Sequence, residues 1–305
     1  MRIAFAGTPN FAATVLQGLL SSAHEVGLVI SQPDSRKGRG RKTTRTPVAK
    51  LADSHNLTLR QPAHISEIGD ELSSYDTLIV AAYGQILRPN TLYATKHGAY
   101  NVHASLLPEY RGAAPVERAI MNGETETGVT IMRMDEGLDT GPIALQRPVG
   151  IPPAMNAGEL TNLLAEIGAE AVVESLDLLQ GDALMLLGQD NLHATYASKI
   201  LDEDRVIEWA AGVREVHDRI RALAPHIGAR TFLPDVAGPV KIWRSAIRDT
   251  AGTGEEVGHI QAENGRIAVN CGDGRLEVLE LQAPGGRRLA AREFLLGNPL
   301  EGVFR

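Results

Sequence analysis

The first 180 residues alternate short apolar runs with longer segments of helical period, and this alternation constrains the fold more than any other feature. Residues 3–6 form an apolar run that ends at Gly7, and residues 11–20 then follow a helical period. Further apolar runs at 26–30 and 77–82 are predicted to be buried strands. Strands that alternate with helices predict an α/β domain with a mostly parallel sheet.

A different pattern begins after this region. Residues 181–206 show little periodicity and are predicted to be a linker. Beyond them, short β-like runs are separated by Asn264-Gly265 and Asp273-Gly274, which both favour hairpin turns. Short strands at near-regular spacing predict a small OB-like β-barrel. We therefore predict an α/β domain at 1–180, a linker at 181–206 and an OB-like domain at 207–305.

Composition excludes several classes of protein. With 43% hydrophobic and 22% charged residues, the chain is neither disordered nor collagen-like. Its single cysteine, Cys271, excludes a disulfide scaffold and an all-cysteine zinc site. Neither an apolar run of about 18 residues nor a signal-peptide pattern occurs, so we expect a cytoplasmic protein without a membrane span.

Positive charge is concentrated in one segment of an otherwise acidic chain. The formal net charge is −7, yet residues 35–52 hold seven basic residues and no acidic one. Such a concentration indicates a site for an anionic partner, although many charge runs are only solvated loops. Because the segment has few apolar residues, we expect it to be mobile until a partner binds. The candidate contacts are Arg36, Lys37, Arg39, Arg41, Lys42 and Arg45.

The turn after the first apolar run does not fit a dinucleotide-binding motif. That motif needs three glycines, whereas here Gly7 is followed by Thr8 and Pro9. Pro9 also lacks the backbone N–H that such a loop uses to hold phosphate. We therefore expect no nicotinamide cofactor.

The densest polar segment spans residues 101–112 at the end of a predicted strand. Asn101 and His103 are two positions apart, so both side chains project from one face of the strand. The strand ends before Pro108, which places both near its carboxyl end, where open α/β sheets bind ligands. An amide next to an imidazole suits the stabilisation of an oxyanion, and the imidazole can also act as a general acid or base. The alternative is a structural histidine.

A second polar cluster follows the β-branched run at 129–134. Asp139 lies between Gly137 and Gly141, which allow the backbone to bend closely around a neighbour. We expect this cluster at the carboxyl end of its strand as well, where Asp139 is able to pair with a histidine. The alternative is an Asp-Gly turn between two strands. The candidate catalytic residues are therefore Asn101, His103 and Asp139.

Taken together, the two clusters resemble the signature of the folate-dependent formyltransferases. The matching spacing is Asn101-x-His103-x-Ser105-Leu106-Leu107-Pro108 followed by Gly137-Leu138-Asp139-x-Gly141. Residues 82–87, 111–115 and 128–132 match as well. Similarity to the branch of the family that acts on methionyl-tRNA comes from residues 7–12, 31–34, 38–42, 46–48, 196–200 and 220–223.

This resemblance implies a Rossmann-like formyltransferase domain that takes the formyl group from 10-formyltetrahydrofolate and needs no metal. It implies, as acceptor, the α-amine of methionine on initiator tRNA. Asn101 and His103 would then serve the oxyanion, Asp139 would pair with His103, and the basic segment would grip the tRNA. The residues implied for the folate pocket are Gln85, Leu87, Ser105, Leu106, Leu107 and Pro108.

The resemblance also implies that the C-terminal domain contacts tRNA, and we expect the chain to act as a monomer. The candidate phosphate contacts of that domain are Arg287, Arg288 and Arg292. From the residues alone, the domain is equally consistent with a purely structural barrel, because its charge is nearly balanced.

The sequence is also consistent with other functions. A sugar-nucleotide formyltransferase or a 10-formyltetrahydrofolate hydrolase-type domain would share the three candidate catalytic residues, but a small acceptor has no need of the basic segment. Glycinamide ribonucleotide formyltransferase would leave the C-terminal barrel without a role. A non-catalytic RNA-binding protein on a decayed fold is a further alternative, against which the complete set of Asn101, His103 and Asp139 argues.

Overall fold

A computed structural model describes residues 1–37, 42–233, 236–250, 254, 256–298 and 300–305. The chain forms two compact units. The first unit consists of residues 1–112, 126–150 and 161–197, and the second of residues 113–125, 151–160 and 198–305. The domains predicted from sequence are contiguous, whereas two short segments of the predicted first domain belong to the second unit. A hydrophobic pattern indicates that a segment is buried but not which unit buries it.

Seventeen β-strands and eight α-helices lie within the described residues. The strands are β1 (Arg2–Gly7), β2 (Glu25–Ile30), β3 (Ser35–Lys37), β4 (Lys42–Thr44), β5 (Leu59–Arg60), β6 (Thr77–Ala81), β7 (Ala99–His103), β8 (Arg111–Gly112), β9 (Glu126–Arg133), β10 (Ile143–Gly150), β11 (Tyr196–Ala197), β12 (Ala229–Thr231), β13 (Val240–Asp249), β14 (Ile260–Glu263), β15 (Arg266–Asn270), β16 (Arg275–Gln282) and β17 (Leu289–Ala290). The α-helices are α1 (Asn10–Leu20), α2 (Pro47–Ser54), α3 (Gly69–Leu72), α4 (Pro89–Leu92), α5 (Pro115–Met121), α6 (Ala157–Gln180), α7 (Val213–Leu223) and α8 (Ala291–Gly297). Within the described residues, no helix has the length and apolar character to cross a membrane.

The first unit is built on a seven-stranded sheet in the order β10-β9-β7-β6-β1-β2-β5. The five strands from β7 to β5 are parallel, whereas β9 runs antiparallel to both β7 and β10. The prediction of a mostly parallel α/β sheet is confirmed. In β1 only Arg2 is exposed, as expected for a central strand that is covered on both faces.

Helix α1 packs on the sheet through an apolar stripe. Phe11, Val15 and Leu19 recur every four residues and are buried. Gly18 lies against Ala169 of α6, and a Cβ atom at Gly18 would be only 2.6 Å from the Ala169 methyl group. The glycine therefore sets how closely these two helices approach.

The second unit contains an antiparallel sheet in the order β12-β13-β16-β15-β14. The C-terminal tail joins the two edges of this sheet. The Phe304 amide donates to the Gly258 carbonyl beside β14, and the Arg305 amide donates to the Phe232 carbonyl beside β12, both at 2.9 Å. The sheet is thereby closed into a small β-barrel, which fits the OB-like prediction. Trp209 stacks on Phe304 in its core, with ring centroids 5.6 Å apart.

Both predicted hairpin turns are present in this barrel. Asn264 and Gly265 connect β14 to β15 with φ values of 52° and 77°, the left-handed conformation that a two-residue hairpin turn requires. The Asp273-Gly274 turn connects β15 to β16, and the Gly274 carbonyl accepts a hydrogen bond from the Cys271 amide at 2.8 Å. These turns set the register of three consecutive strands.

A guanidinium–carboxylate pair connects α5 to the residues that precede α7 in the second unit. The Arg118 Nη atoms donate to the Asp204 carboxylate at 2.7 and 2.6 Å, and both side chains are largely buried. Arg118→Ala is expected to lower the free energy of unfolding of this unit by about 1.5–3 kcal/mol, because the buried carboxylate loses its charged donor. Urea denaturation measures the change. Arg214→Ala, at an exposed arginine of α7 without a hydrogen-bond or ion-pair partner among the described residues, is the control.

The same pair predicts a pH dependence of stability. The Arg118 guanidinium holds the pKa of Asp204 below its usual range, against the opposing effect of burial. Because unfolding returns this pKa to about 3.9, the unfolded chain binds the proton first as the pH falls. The contribution of the pair is therefore present above about pH 4 and lost as the pH drops through the lower folded pKa. A stability gap between wild type and Arg118→Ala that does not narrow at acid pH would contradict this account.

Candidate active site

Strand β7 places two of the candidate catalytic side chains on one face of the sheet near its carboxyl end. Asn101 and His103 alternate with Val102, which faces the helix α6 side at Gly168. His103 is buried, whereas Asn101 is only partly buried. Among the residues that the structure describes, none forms a hydrogen bond with the Asn101 amide group. This amide is therefore available to a bound molecule.

The hydrogen bonds of His103 determine which ring nitrogen can exchange a proton. Its Nε2 lies 3.0 Å from the Tyr110 carbonyl oxygen, and a carbonyl only accepts, so Nε2 carries a hydrogen. Its Nδ1 lies 3.7 Å from Oδ2 of Asp139. Nδ1 is therefore the nitrogen that can gain or lose a proton, and an imidazolium formed there would face the Asp139 carboxylate.

Asp139 is held by the backbone around it. Its Oδ2 accepts a hydrogen bond from the Gly112 amide at 2.8 Å, and its φ of 52° lies in the left-handed region. On either side of it, a Cβ at Gly141 would collide with the Arg133 carbonyl oxygen, and one at Gly137 would collide with the Thr140 side chain. Both glycines are therefore required by close approach, as the sequence pattern indicates.

The second cluster follows the carboxyl end of its strand, β9, as expected. Because β9 is antiparallel to β7, its last residue, Arg133, pairs with Tyr100 near the amino end of β7. The carboxyl ends of β7 and β9 therefore point in opposite directions, so strand ends alone do not bring this cluster to His103. Residues 134–142 connect β9 to β10, and within this connection Asp139 reaches His103, with 3.7 Å between Oδ2 and Nδ1. Strand direction is set by long-range pairing, which the local pattern does not report.

The segment 105–108, implied for the folate pocket, is a turn whose polar groups bond within the protein. The Ser105 hydroxyl donates to the Glu109 carbonyl at 2.6 Å, and Thr130 Oγ1 donates to the Ser105 carbonyl at 2.7 Å. Thr130 Oγ1 also accepts from the Leu107 amide at 3.1 Å. Ser105 and Leu107 are buried, so the surface that the turn leaves to solvent comes from Leu106 and Pro108.

Gln85 and Leu87 mainly stabilise the loop that follows β6. Oε1 of Gln85 accepts from the Ile65 amide at 2.9 Å, and its Nε2 donates to the Ala63 carbonyl at 3.0 Å. Leu87 is buried, whereas Ile86 between them is 90% exposed. The backbone and Ile86 are therefore the parts of this loop that a ligand can reach.

Tyr83 opens this loop after β6. Burial raises the pKa of Tyr83 to about 12, and the negative charge of Glu67 adds to the increase. Among the described residues its hydroxyl has no hydrogen-bond partner. Its carbonyl accepts from Thr8 Oγ1 at 3.0 Å and Gln32 Nε2 at 3.2 Å, which connects the ends of β1, β2 and β6.

The ends of the basic segment pair as a hairpin. Strands β3 and β4 are antiparallel, with Arg36 opposite Thr43 and Lys37 opposite Lys42. Main-chain pairing needs no apolar side chains, which is why a segment without them can form this ladder. Two of the predicted tRNA contacts, Arg39 and Arg41, lie outside the described residues.

Arg45, the last of the predicted tRNA contacts, is bonded within the protein. Its guanidinium donates to Asp53 at 2.6 Å, to Gln61 at 2.6 Å and to Asp34 at 3.3 Å. The contacts with Asp53, which contribute most, and with Asp34 raise the pKa of Arg45 against the opposing effect of burial. Burial acts to raise the pKa of Asp34, but the hydrogen bonds from Gln61 and Arg45 outweigh it and hold that pKa below its usual range. Arg45 thus anchors the base of the hairpin.

Three residues of the site were not assigned roles from the sequence: Gly112, Thr130 and Gln189. Gly112 and Thr130 lie in segments that match the formyltransferase pattern, so a signal for them was present. Gln189 lies in the predicted linker, where no periodicity marks it. Over the described part of the chain, no group of three or more His, Cys, Asp or Glu side chains is arranged to hold a metal ion.

Two family models match the chain. A formyl transferase model matches residues 1–176, and a model of the formyl transferase C-terminal domain matches residues 199–299. The first spans more than half of the chain and includes every candidate catalytic residue.

Similarity to individual proteins extends over the full length. The methionyl-tRNA formyltransferase of Rubrobacter xylanophilus is 63% identical and covers 100% of both chains. The methionyl-tRNA formyltransferase of Syntrophomonas wolfei is 44% identical over 98% of this chain and 96% of its own. The structure of an N-formyltransferase from Helicobacter canadensis with folinic acid and dTDP-3-aminofucose has a TM-score of 0.69 at 21% identity, over 90% of this chain and 98% of that one. This last likeness concerns the fold alone. The chain therefore belongs to the formyl transferase family, on its methionyl-tRNA formyltransferase branch.

Proposed function

We propose that this chain transfers the formyl group of 10-formyltetrahydrofolate to the α-amine of methionyl-initiator tRNA. The observation that carries the proposal is an unbonded Asn101 amide beside a His103 ring held between Tyr110 and Asp139. Full-length relatives that are named methionyl-tRNA formyltransferases support the choice of acceptor. The concentrated basic charge of residues 35–46 supports a polyanionic acceptor over a small one.

The proposed reaction is an acyl transfer between two nitrogen atoms. The amine nitrogen attacks the formyl carbon, and negative charge develops on the formyl oxygen. The Asn101 amide group donates a hydrogen bond to this oxygen. The bond from the formyl carbon to the folate nitrogen then breaks. That nitrogen takes up a proton, and the attacking amine gives one up.

Proton transfer is assigned to one ring nitrogen. His103 passes the proton through Nδ1, because Nε2 is committed to the Tyr110 carbonyl. Asp139 stabilises the protonated imidazole that this step creates and orients a water molecule beside it.

The proposed function is tested with a panel of acceptors. The purified chain is incubated with formyl-labelled 10-formyltetrahydrofolate and one of four additions: methionyl-initiator tRNA, a dTDP-amino sugar, glycinamide ribonucleotide or no acceptor. Label is expected on the methionyl-tRNA only. Label on the amino sugar or on glycinamide ribonucleotide, or release of formate at the same rate without acceptor, would replace this function by one of the alternatives.

We further propose that the hairpin built on β3 and β4 contacts the tRNA backbone. The contacts are assigned to Arg36, Lys37, Arg39, Arg41 and Lys42. Arg45 is assigned to the base of the hairpin instead, because its guanidinium is bonded to Asp34 and Asp53.

Arg39→Ala is expected to weaken tRNA binding without affecting folate. Each lost phosphate contact should reduce the slope of log affinity against log salt by about 0.7–0.9. Binding of initiator tRNA is measured over a range of salt concentrations, and the KM for the folate donor is measured in parallel. Lys50→Ala, at an exposed lysine on α2 beyond the hairpin, is the matched control. An unchanged salt slope in Arg39→Ala would make the residue a solvated bystander.

We also propose that the chain acts as a monomer in the cytoplasm. The expected active species is a monomer, in which one chain holds both family domains. Charged initiator tRNA is a substrate of translation, so the reaction is assigned to the cytoplasm. Light scattering of the chain with and without tRNA tests the monomer.

A further inference from the structure

We propose that Gln189 is a positioning residue that holds Asp139 against His103, and that Gln189 and Thr195 together form a clamp around the catalytic histidine. The inference deepens the proposed formyl transfer and rests on it. It assigns a role to the segment that follows α6, which the sequence pattern describes only as a linker. Every contact in the argument lies within the first unit.

The amide group of Gln189 is used completely, and in only one orientation. Its Nε2 donates to the Asp139 carbonyl at 2.8 Å and to the Gly141 carbonyl at 2.7 Å. Its Oε1 accepts from the Arg111 guanidinium at 3.1 and 2.7 Å. Because carbonyls only accept and a guanidinium only donates, the amide cannot be turned over without losing all four bonds.

Arg111 strengthens this arrangement. The residue is 2% exposed, and among the described residues its guanidinium forms no ion pair with a carboxylate. Its acceptors are the amide oxygens of Gln189 and Asn191, the latter at 2.9 Å. A charged donor on Oε1 polarises the amide group of Gln189, so its Nε2 becomes a stronger donor to the loop that carries Asp139.

The loop requires such a constraint because Asp139 has an unfavourable backbone. A φ of 52° is uncommon for a residue with a Cβ atom and persists only where the surroundings impose it. Gln189 binds the carbonyl of Asp139 itself and the carbonyl two residues later. These two bonds fix the backbone of the residue whose carboxylate faces His103.

The same segment also holds the other neighbour of the imidazole. Thr195 Oγ1 accepts from the Tyr110 amide at 2.8 Å, and the Thr195 carbonyl accepts from the Arg111 amide at 2.9 Å. Tyr110 in turn provides the carbonyl that accepts from His103 Nε2. Residues 189 and 195 therefore position the groups on both ring nitrogens of His103.

Three variants separate positioning from a purely structural role. Gln189→Glu keeps an acceptor for Arg111, as an ion pair, but its carboxylate cannot donate to the two loop carbonyls. Gln189→Ala removes both functions. Asn191→Ala removes only the second acceptor of Arg111 and does not contact the loop, so it is the matched control. The readouts are kcat and KM for formyl transfer to methionyl-tRNA, thermal unfolding, and the imidazole ¹⁵N shifts of His103 in substrate-free protein.

We expect Gln189→Glu to unfold at a temperature close to that of wild type, yet to lose about 10- to 100-fold in kcat with unchanged KM. Gln189→Ala should lose at least as much kcat. Asn191→Ala should keep wild-type kcat and wild-type His103 shifts, whereas both Gln189 variants should move these shifts. If Gln189→Ala does not fold, Gln189→Glu decides the question.

Two results would overturn the clamp. One is wild-type kcat in Gln189→Glu, which would reduce Gln189 to a partner of Arg111. The other is a loss of kcat in Asn191→Ala equal to that of the Gln189 variants. Failure of the proposed function is distinguishable, because wild type would then show no formyl transfer in the same assay. The His103 shifts would still report whether Gln189 positions the ring.

Discussion

Asn101→Ala is expected to lower kcat for formyl transfer to methionyl-tRNA about 10²–10³-fold, because it removes a donor aimed at the developing oxyanion. The KM values for donor and acceptor should change little, since the lost bond is strongest in the transition state. The fold should persist, because no described residue forms a hydrogen bond with the Asn101 amide. Steady-state kinetics with each substrate varied in turn measures the effect.

A second asparagine provides the control for this variant. Asn90 is exposed on α4, and Asn90→Ala removes the same group without touching β7. We expect wild-type kinetics from it. Near-normal kcat in Asn101→Ala would show that Asn101 does not stabilise the oxyanion and is only a partly buried residue of β7.

Asp139→Asn is expected to lower kcat about 10²–10⁴-fold, the range typical of a lost participant in proton transfer. The amide can still accept from the Gly112 N–H, so the loop conformation should be retained. What is lost is the negative charge that faces Nδ1 of His103 and stabilises the imidazolium. Rates measured across a pH series should show that the acidic limb of the profile has moved or vanished.

Asp135 offers a matched substitution in the same loop. Its carboxylate accepts from the Gly137 amide at 3.0 Å and from Thr140 Oγ1 at 2.6 Å, and an asparagine can accept both bonds. Asp135→Asn should therefore keep wild-type kcat and an unchanged pH profile. Equal losses of kcat in Asp139→Asn and Asp135→Asn would mean that any amide in this loop disturbs it. Asp139 would then have no special part in proton transfer.

Much of the fold could be predicted because it depends on local signals. The buried run at 3–6, the glycine turn at Gly7 and the helix after it predict the β1-α1 start that the structure contains. The Asn264-Gly265 pair predicts a hairpin because both residues tolerate positive φ. The pair Asn101 and His103 could be assigned to one face because strand periodicity is local as well.

The features that could not be predicted depend on long-range contacts. The antiparallel direction of β9 decides how the loop carrying Asp139 reaches His103, and it is set by pairing with β7. The clamp depends on Gln189, which is 50 residues from Asp139 in a segment without periodicity. Arg45 is a further example. The run of basic residues predicts a solvent-facing cation, but the Arg45 guanidinium forms ion pairs with Asp34 and Asp53.

The central claim is that His103 and Asp139 act as one unit in formyl transfer, and a double-mutant cycle tests it most directly. Single-turnover rates with saturating 10-formyltetrahydrofolate and methionyl-tRNA are measured for wild type, His103→Ala, Asp139→Asn and the double variant. Residues that act as a unit lose their function once, so the double variant should be no slower than the slower single variant. Losses that multiply would show that the two side chains contribute independently, which would contradict the account.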